Sequence, residues 1–357
     1  MNLNEVIAQF SVGTDVAPYG EGHINDTYLA RVAPDKYILQ RINHNVFKEP
    51  ERLMENIVAV TEHLRGKIAA RGGDPERETL TVIKTNDGAD FYRSADGDYF
   101  RMYIFLDDTD TYQTVERPEQ LYNAARAFGR FQNDLADFPA ERLFESIPSF
   151  HNTVVRFENL LKAIETDKVG RKREVDAEIA FALAREADTA VIVEAIVRGE
   201  VPLRVTHNDT KINNVLFDKA TGEGICVIDL DTVMPGSLLY DFGEAIRTGA
   251  SMAVEDETDL SKVGCNLELF EAFARGFLEE VGGGLTPKEL ELLPFAVKLM
   301  TYENGIRFLT DYLEGDTYFK IHRPGHNLDR CRAQFRLVED IESKMERMRE
   351  IIGVCTS

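Results

Sequence analysis

Long apolar runs, paired cysteines and an excess of basic charge are all missing from this chain. Nowhere do about 18 apolar residues follow one another, the least that a membrane-spanning helix needs. The start, Met1-Asn-Leu-Asn-Glu5, carries neither a basic segment nor an apolar core, so no secretory leader is read there. Only four cysteines occur, Cys226, Cys265, Cys331 and Cys355, with no Cys-x-x-Cys pair. Reduced thiols and a cytoplasmic protein are the expectation. Lysine and arginine number 41 against 62 aspartates and glutamates, a formal charge of −21. A phosphate backbone or an anionic membrane surface requires a basic footprint, so neither nucleic acid nor membrane is expected as a partner. With 357 residues, 43% of them hydrophobic, the chain can bury a sizeable core.

What is present concentrates in Val205-Thr-His-Asn-Asp-Thr-Lys-Ile-Asn-Asn-Val-Leu-Phe217 and the echo Val227-Ile-Asp-Leu-Asp231. The first places His207, Asp209, Lys211 and Asn214 at the offsets of a kinase catalytic loop, where the aspartate is the base and the asparagine holds magnesium. Val215-Leu-Phe217 and Ile225-Cys-Val-Ile228 are short β-rich runs around the turn residues Lys219 to Gly224, which predicts a hairpin. Asp229 then sits just past the return strand. Magnesium takes hard oxygen donors, commonly one or two carboxylates plus substrate phosphates, so Asp229 with Asn214 is a fitting protein share of its shell. Asp209 is left to accept a hydroxyl proton, and Lys211 to neutralise phosphate charge.

Ahead of this stretch, residues 3 to 10 predict a short helix. Val16 to Val32, interrupted by Gly20-Glu-Gly-His-Ile-Asn25, and Tyr37 to Ile42 predict strands. Gly20 and Gly22 would let the backbone approach phosphate closely. Where a kinase has a phosphate-pairing lysine on its third strand, this chain has Leu39-Gln40-Arg41. By period two only one of Gln40 and Arg41 faces the cleft, and Arg41 is the one with a charge to offer. A helix over residues 51 to 68 and strands at Leu80 to Thr85 and Tyr99 to Phe105 complete a small α+β part, after which Asp107-Asp-Thr-Asp110 reads as a hinge. Helices follow at residues 118 to 138, 154 to 164, 174 to 197, 267 to 281, 287 to 313 and 328 to 352. Thr286-Pro-Lys-Glu289 is a capping box with proline at the first helical position. The expected division is 1–106, a nucleotide-binding lobe, and 107–357, a catalytic lobe. Asp241-Phe-Gly243 spells the kinase metal motif but comes twelve residues after Asp229, too late for that role, and is read as structural.

The His-x-Asp loop, the Ile-Asp after a hairpin and the later aspartate resemble the aminoglycoside phosphotransferase and choline kinase family. The resemblance implies a protein-kinase-like two-lobed fold, sheet-rich then helical, and ATP and Mg2+ as co-substrate and cofactor. It implies backbone contacts from Phe105 and Leu106 to adenine, and a second aspartate, here Asp241, bracing the catalytic loop. Tyr19-Gly-Glu-Gly-His-Ile-Asn25, Tyr37-Ile-Leu-Gln-Arg-Ile-Asn43, Leu203 to Lys211, Ile228 to Gly236 and Asp311-Tyr-Leu-Glu-Gly-Asp316 are similar to the sugar-kinase wording within that family. This implies an N-acetylhexosamine phosphorylated at its anomeric hydroxyl and held by His23, Asp209, Arg307 and Tyr318. Arg307 also has Glu303 and Asp311 one turn away as ion-pair partners. The rival readings are a kinase of aminoglycosides, choline or another small alcohol, and an inactive nucleotide-binding module.

Overall fold

The computed structural model describes residues 3–12, 15–20 and 24–356. The chain forms two compact units, one of Met1–Thr111, Asp134–Pro148 and Asn214–Pro235, the other of Tyr112–Asn133, Ser149–Asn213 and Gly236–Ser357.

The first unit is built on a five-stranded antiparallel sheet. Its strands are β1 (Asp15–Pro18), β2 (Asp26–Val32), β3 (Asp35–Ile42), β4 (Tyr92–Arg93) and β5 (Tyr99–Ile104), in the order β1-β2-β3-β5-β4. On β3 and β5 Leu39 lies opposite Met102 and Arg41 opposite Phe100, whereas Gln40 lies opposite Arg101. Alternation therefore puts Leu39, Arg41, Phe100 and Met102 on one face and Gln40 with Arg101 on the other. The apolar members of the first set pack with Val6, Ile7 and Phe10 of the N-terminal segment. The helix Pro50–Ala70 starts on a proline and buries Leu53, Met54, Ile57, Val60, Leu64 and Ile68, one stripe at helical spacing.

The strand expected at Leu80 to Thr85 is reduced to an isolated bridge between Val82 and Tyr103. Thr85 is drawn into the Asn86-Asp-Gly88 turn, its backbone N–H and its hydroxyl both bonded to the Ala89 carbonyl, so the chain curls away from the sheet. The fifth strand is instead Tyr92–Arg93.

A second sheet carries the hairpin. Strand Val215–Asp218 pairs with Gly224–Val227 in the register Val215 opposite Val227, with a bulge after Leu216, and Thr109–Asp110 pairs on its other side. The Asp218 carboxylate accepts the Ala220 and Thr221 N–H groups and closes the turn.

The second unit is helical: Thr153–Thr166, Leu267–Val281, Pro287–Glu314 and His326–Cys355 form within a few residues of expectation. The Thr286–Glu289 capping box is formed in both directions. The single helix expected over 174 to 197 is broken into Asp176–Leu183 and Val191–Val197, and Leu238–Gly249 is a helix outside those expected. Among the described residues no helix is long and apolar enough to cross a membrane.

Candidate active site

The loop after strand Arg204–Thr206 is fixed atom by atom. Asn208 takes the left-handed conformation, φ 64°, which asparagine tolerates better than most residues. Its amide exchanges hydrogen bonds with Thr206, whose hydroxyl donates to Oδ1 at 3.0 Å and whose carbonyl accepts from Nδ2 at 3.2 Å. A side chain at Gly236 would put its Cβ 2.3 Å from Thr206 Oγ1 and 3.1 Å from Asn208 Oδ1, so this loop needs a glycine across from it. His207 is buried with its ring edge on Phe128 and Phe131. Its Nδ1 accepts the Asp209 N–H at 3.2 Å, which leaves the proton of the neutral ring on Nε2.

Asp241 braces this loop, as the resemblance implied. Its carboxylate accepts the His207 N–H at 2.9 Å, the Asn208 N–H at 2.7 Å and the Gln132 side-chain amide at 2.6 Å. Burial pushes its carboxyl up, and the three donors pull against that rise. Asp241→Asn turns an amide toward a backbone N–H that needs an acceptor. The expected result is a lower melting temperature, about 1–3 kcal/mol of stability, with the magnesium requirement of turnover unchanged. Thermal denaturation beside a magnesium titration checks it; a shifted magnesium requirement at unchanged melting would make Asp241 a metal residue.

Asp209 and Lys211 come together: Nζ lies 2.9 Å from Oδ1. Burial alone would raise the Asp209 carboxyl, but the Lys211 ammonium holds it below its ordinary value. Asp209 in turn lifts Lys211, against burial. Both are ionised across the neutral range.

Asn214 and Asp229 both belong to the first unit. They stand just outside the Val215–Val227 pair, at the same end of the hairpin, and the Ile228 N–H donates to the Asn214 carbonyl at 2.9 Å. Asn214 is buried, while Asp229 is exposed with φ 60°. One carboxylate and one amide offer the hard oxygen donors magnesium takes, with positions left over for phosphate and water.

Arg41 reaches Asp26, at 2.5 Å, and Asp98. The other face holds what the sequence reading passed over. Arg101 is fully buried and ion-paired with Asp231, and the Gln40 carbonyl accepts from its Nε and Nη2 at 3.0 and 2.9 Å. Asp231 also accepts from Asn25 Nδ2 at 2.5 Å, and Asn25 Oδ1 accepts the Asn43 N–H at 3.0 Å. The end of the glycine loop is thus tied to the residue two after Asp229. The signal was an arginine inside the apolar strand Tyr99 to Phe105, because a charge that enters a core needs a partner.

Gly20 has φ 72° and open space around its Cα; Gly22 and His23 lie outside the described residues. Tyr19 meets Phe105 edge-on at 5.8 Å. The Phe105 N–H donates to the Lys36 carbonyl, and the Leu106 carbonyl accepts the Thr109 hydroxyl, so two backbone groups of this connector are already engaged within the unit.

Arg307 pairs with neither acid on its own helix. Glu303 is taken by His151 and Thr153, and Asp311 by the N–H groups of Thr317, Tyr318 and Phe319 and by Asn327. The Arg307 guanidinium lies 5.5 Å from the ring centroids of both Phe150 and Phe319, within cation–π range. Phe319 in turn meets Tyr318, whose surface is 63% exposed, at 4.8 Å. Arg156 is close enough that burial and the Arg307 charge lower its pKa. This patch is cationic in a strongly acidic chain.

The model of the phosphotransferase enzyme family matches residues 15–276. Three solved structures share the fold. A microcompartment-associated aminopropanol kinase has a TM-score of 0.63 at 14% identity, over 97% of this chain and 98% of that one. A spectinomycin phosphotransferase in complex with ADP and spectinomycin scores 0.60 at 15%, over 97% and 98%. An amicoumacin kinase in complex with AMP-PNP, Ca2+ and its ligand scores 0.52 at 12%, over 96% and 88%. The fold is protein-kinase-like, with sheet-rich N-terminal strands and a largely helical C-terminal region.

Proposed function

This chain belongs to the phosphotransferase enzyme family, and on that premise we propose that it is an ATP-dependent N-acetylhexosamine 1-kinase, acting on the anomeric hydroxyl of GlcNAc or GalNAc. Phosphoryl transfer asks a protein mainly to position groups and neutralise charge. Asp209 orients the acceptor hydroxyl and takes its proton. A hemiacetal hydroxyl is more acidic than an ordinary alcohol, which suits a base whose pKa a lysine depresses. With Arg41 committed to Asp26 and Asp98, Lys211 supplies the cation for the transferring phosphate. Asn214 and Asp229 hold magnesium, which when bound neutralises phosphate charge. Gly20 and Gly22 cover the phosphates, Phe105 and Leu106 border the adenine, and His23, Arg307 and Tyr318 hold the sugar with Asp209.

The observation that carries this reading against a cationic acceptor is the Arg307 guanidinium, which feels Glu303 but stands against aromatic rings rather than against a carboxylate. Among the described residues its guanidinium makes no ion pair, with Arg156 beside it. Such a patch repels an aminoglycoside or choline and offers donors to the hydroxyls and acetamide oxygen of a neutral sugar. Arg307→Ala is therefore expected to raise the Michaelis constant for the sugar about 5-fold to 150-fold, the size of one or two unpaired buried polar groups, with little change for ATP. Steady-state kinetics with varied sugar at fixed ATP read this, and an unchanged sugar constant sinks the site as drawn. ADP release over a panel of N-acetylhexosamines, plain hexoses, aminoglycosides and choline tests the acceptor class: turnover with aminoglycosides or choline alone contradicts the proposal.

A further inference from the structure

Behind the Asp209 loop lies a buried histidine that none of the roles above uses. His151 precedes the helix Thr153–Thr166, with its ring against Phe150 and Tyr240. Its Nδ1 is 2.8 Å from Glu303 Oε1, and its Nε2 is 3.0 Å from the carbonyl oxygen of Asn208. A carbonyl and an ionised carboxylate only accept, so with Glu303 ionised the ring donates from both nitrogens, and an imidazole with two N–H groups is a cation. The second Glu303 oxygen accepts the Thr153 hydroxyl at 2.6 Å, which supports the ionised form of that carboxylate. Asn208 is the residue before Asp209, and its carbonyl belongs to the same peptide as the Asp209 N–H, which donates to His207.

We propose that His151 is a positioning residue: a doubly protonated imidazolium, clamped by Glu303, that grips the Asn208 carbonyl and so aims the Asp209 carboxylate, and whose loss of a proton sets the alkaline limit of turnover. The proposal rests on Asp209 being the base. It asks nothing of the identity of the acceptor.

The surroundings favour the charge. Burial would lower the pKa of His151, but Glu303, the Asn208 carbonyl and Glu244 outweigh it and raise it. Glu303 is held low by His151 and by Arg307 on the same helix, despite its burial. The other titratable groups in reach are Tyr240 and Glu244 of Leu238–Gly249 and Arg156 of Thr153–Thr166. A histidine whose folded pKa is raised contributes fully below its ordinary value near 6.5 and is lost as pH rises through the raised value. The alkaline limb of kcat should therefore lie above the ordinary imidazole range.

Nitrogen-15 NMR of the histidine rings on the full chain, with the His151 signals assigned by their loss in His151→Gln, reads the protonation directly. Two protonated ring nitrogens at pH 7 support the clamp; a single ring proton at pH 7 overturns it. Removing the opposing charge with Glu303→Gln should move both the ring titration and the alkaline limb of kcat down by about 1–3 pH units. His151→Phe should lower kcat roughly 10-fold to 100-fold, the cost of a slightly misaimed base, at unchanged ATP affinity, and should abolish the limb. A purely structural histidine would lower the melting temperature in these variants and leave the limb in place, which contradicts the proposal. Since the ring titration needs no substrate, a doubly protonated His151 in a protein that phosphorylates none of the panel supports the clamp and overturns only the acceptor.

Discussion

Asp209→Asn is expected to lower turnover by about 100-fold to 10,000-fold, the usual size of general-base removal, while ATP still binds. The substitution keeps the shape of the side chain and the Asp209 N–H bond to His207, so the loop held by Asp241 stays in place. What is lost is the carboxylate itself. Lys211, 2.9 Å away, then loses its hydrogen-bonded counter-charge and keeps only the pull of Glu244 among the acids that raise it. The direction of the Asp209 pKa adds a second expectation. Lys211 holds it below the ordinary carboxylate value, so the base is ionised throughout pH 5 to 8 and any acid limb in that range belongs to another group. Turnover against pH, with nucleotide affinity measured by calorimetry, makes both comparisons. Undiminished turnover in the asparagine variant removes Asp209 from the chemistry.

Asp229→Ala should abolish the metal-dependent step, with no recovery at any magnesium concentration. Asp229 supplies a carboxylate at the hairpin end that also carries Asn214, the neighbouring Asp231 being taken by Arg101, and an amide alone holds magnesium poorly. The fold should tolerate the change, because the side chain is exposed and the buried ion pair at this end belongs to Asp231 and Arg101. Alanine does lose aspartate's tolerance of positive φ, which calls for a melting curve beside the magnesium titration. Rescue by high magnesium would move the metal role elsewhere.

Local chemistry was legible where it decides structure by itself. Thr286-Pro-Lys-Glu289 specified a helix start that the structure forms in both directions, and Lys219 to Gly224 specified the hairpin turn. The helix Leu238–Gly249 escaped although Leu238, Leu239, Phe242, Ala245 and Ile246 recur at helical spacing, because its Asp241-Phe-Gly243 reads as a metal motif rather than as part of a helix. Gly243 is its clue in retrospect, since a Cβ there would lie 2.5 Å from the Ala296 carbonyl. At the break within 174 to 197 the Thr189 hydroxyl donates to the Glu186 carbonyl, and partners far along the chain hold the segment: the Tyr302 hydroxyl on the Ala182 carbonyl, Glu342 on Arg185 and Lys298 on Asp188.

The candidate site divided along the same line. His207, Asp209, Lys211 and Asn214 stand within eight residues, where spacing alone identifies them. Arg101 and Asp231 meet across 130 residues of chain, and Asn25 and Asp231 across 206. His151 is joined to Asn208 across 57 residues and to Glu303 across 152, separations for which no motif exists.

The most direct test of the proposed activity is proton–phosphorus correlation NMR of the product formed from ATP, magnesium and GlcNAc or GalNAc. A phosphorus signal coupled to the anomeric proton, appearing with wild-type protein and absent with Asp209→Asn, is the predicted result. Coupling to any other sugar proton, or no phosphorylated sugar at all, would contradict it.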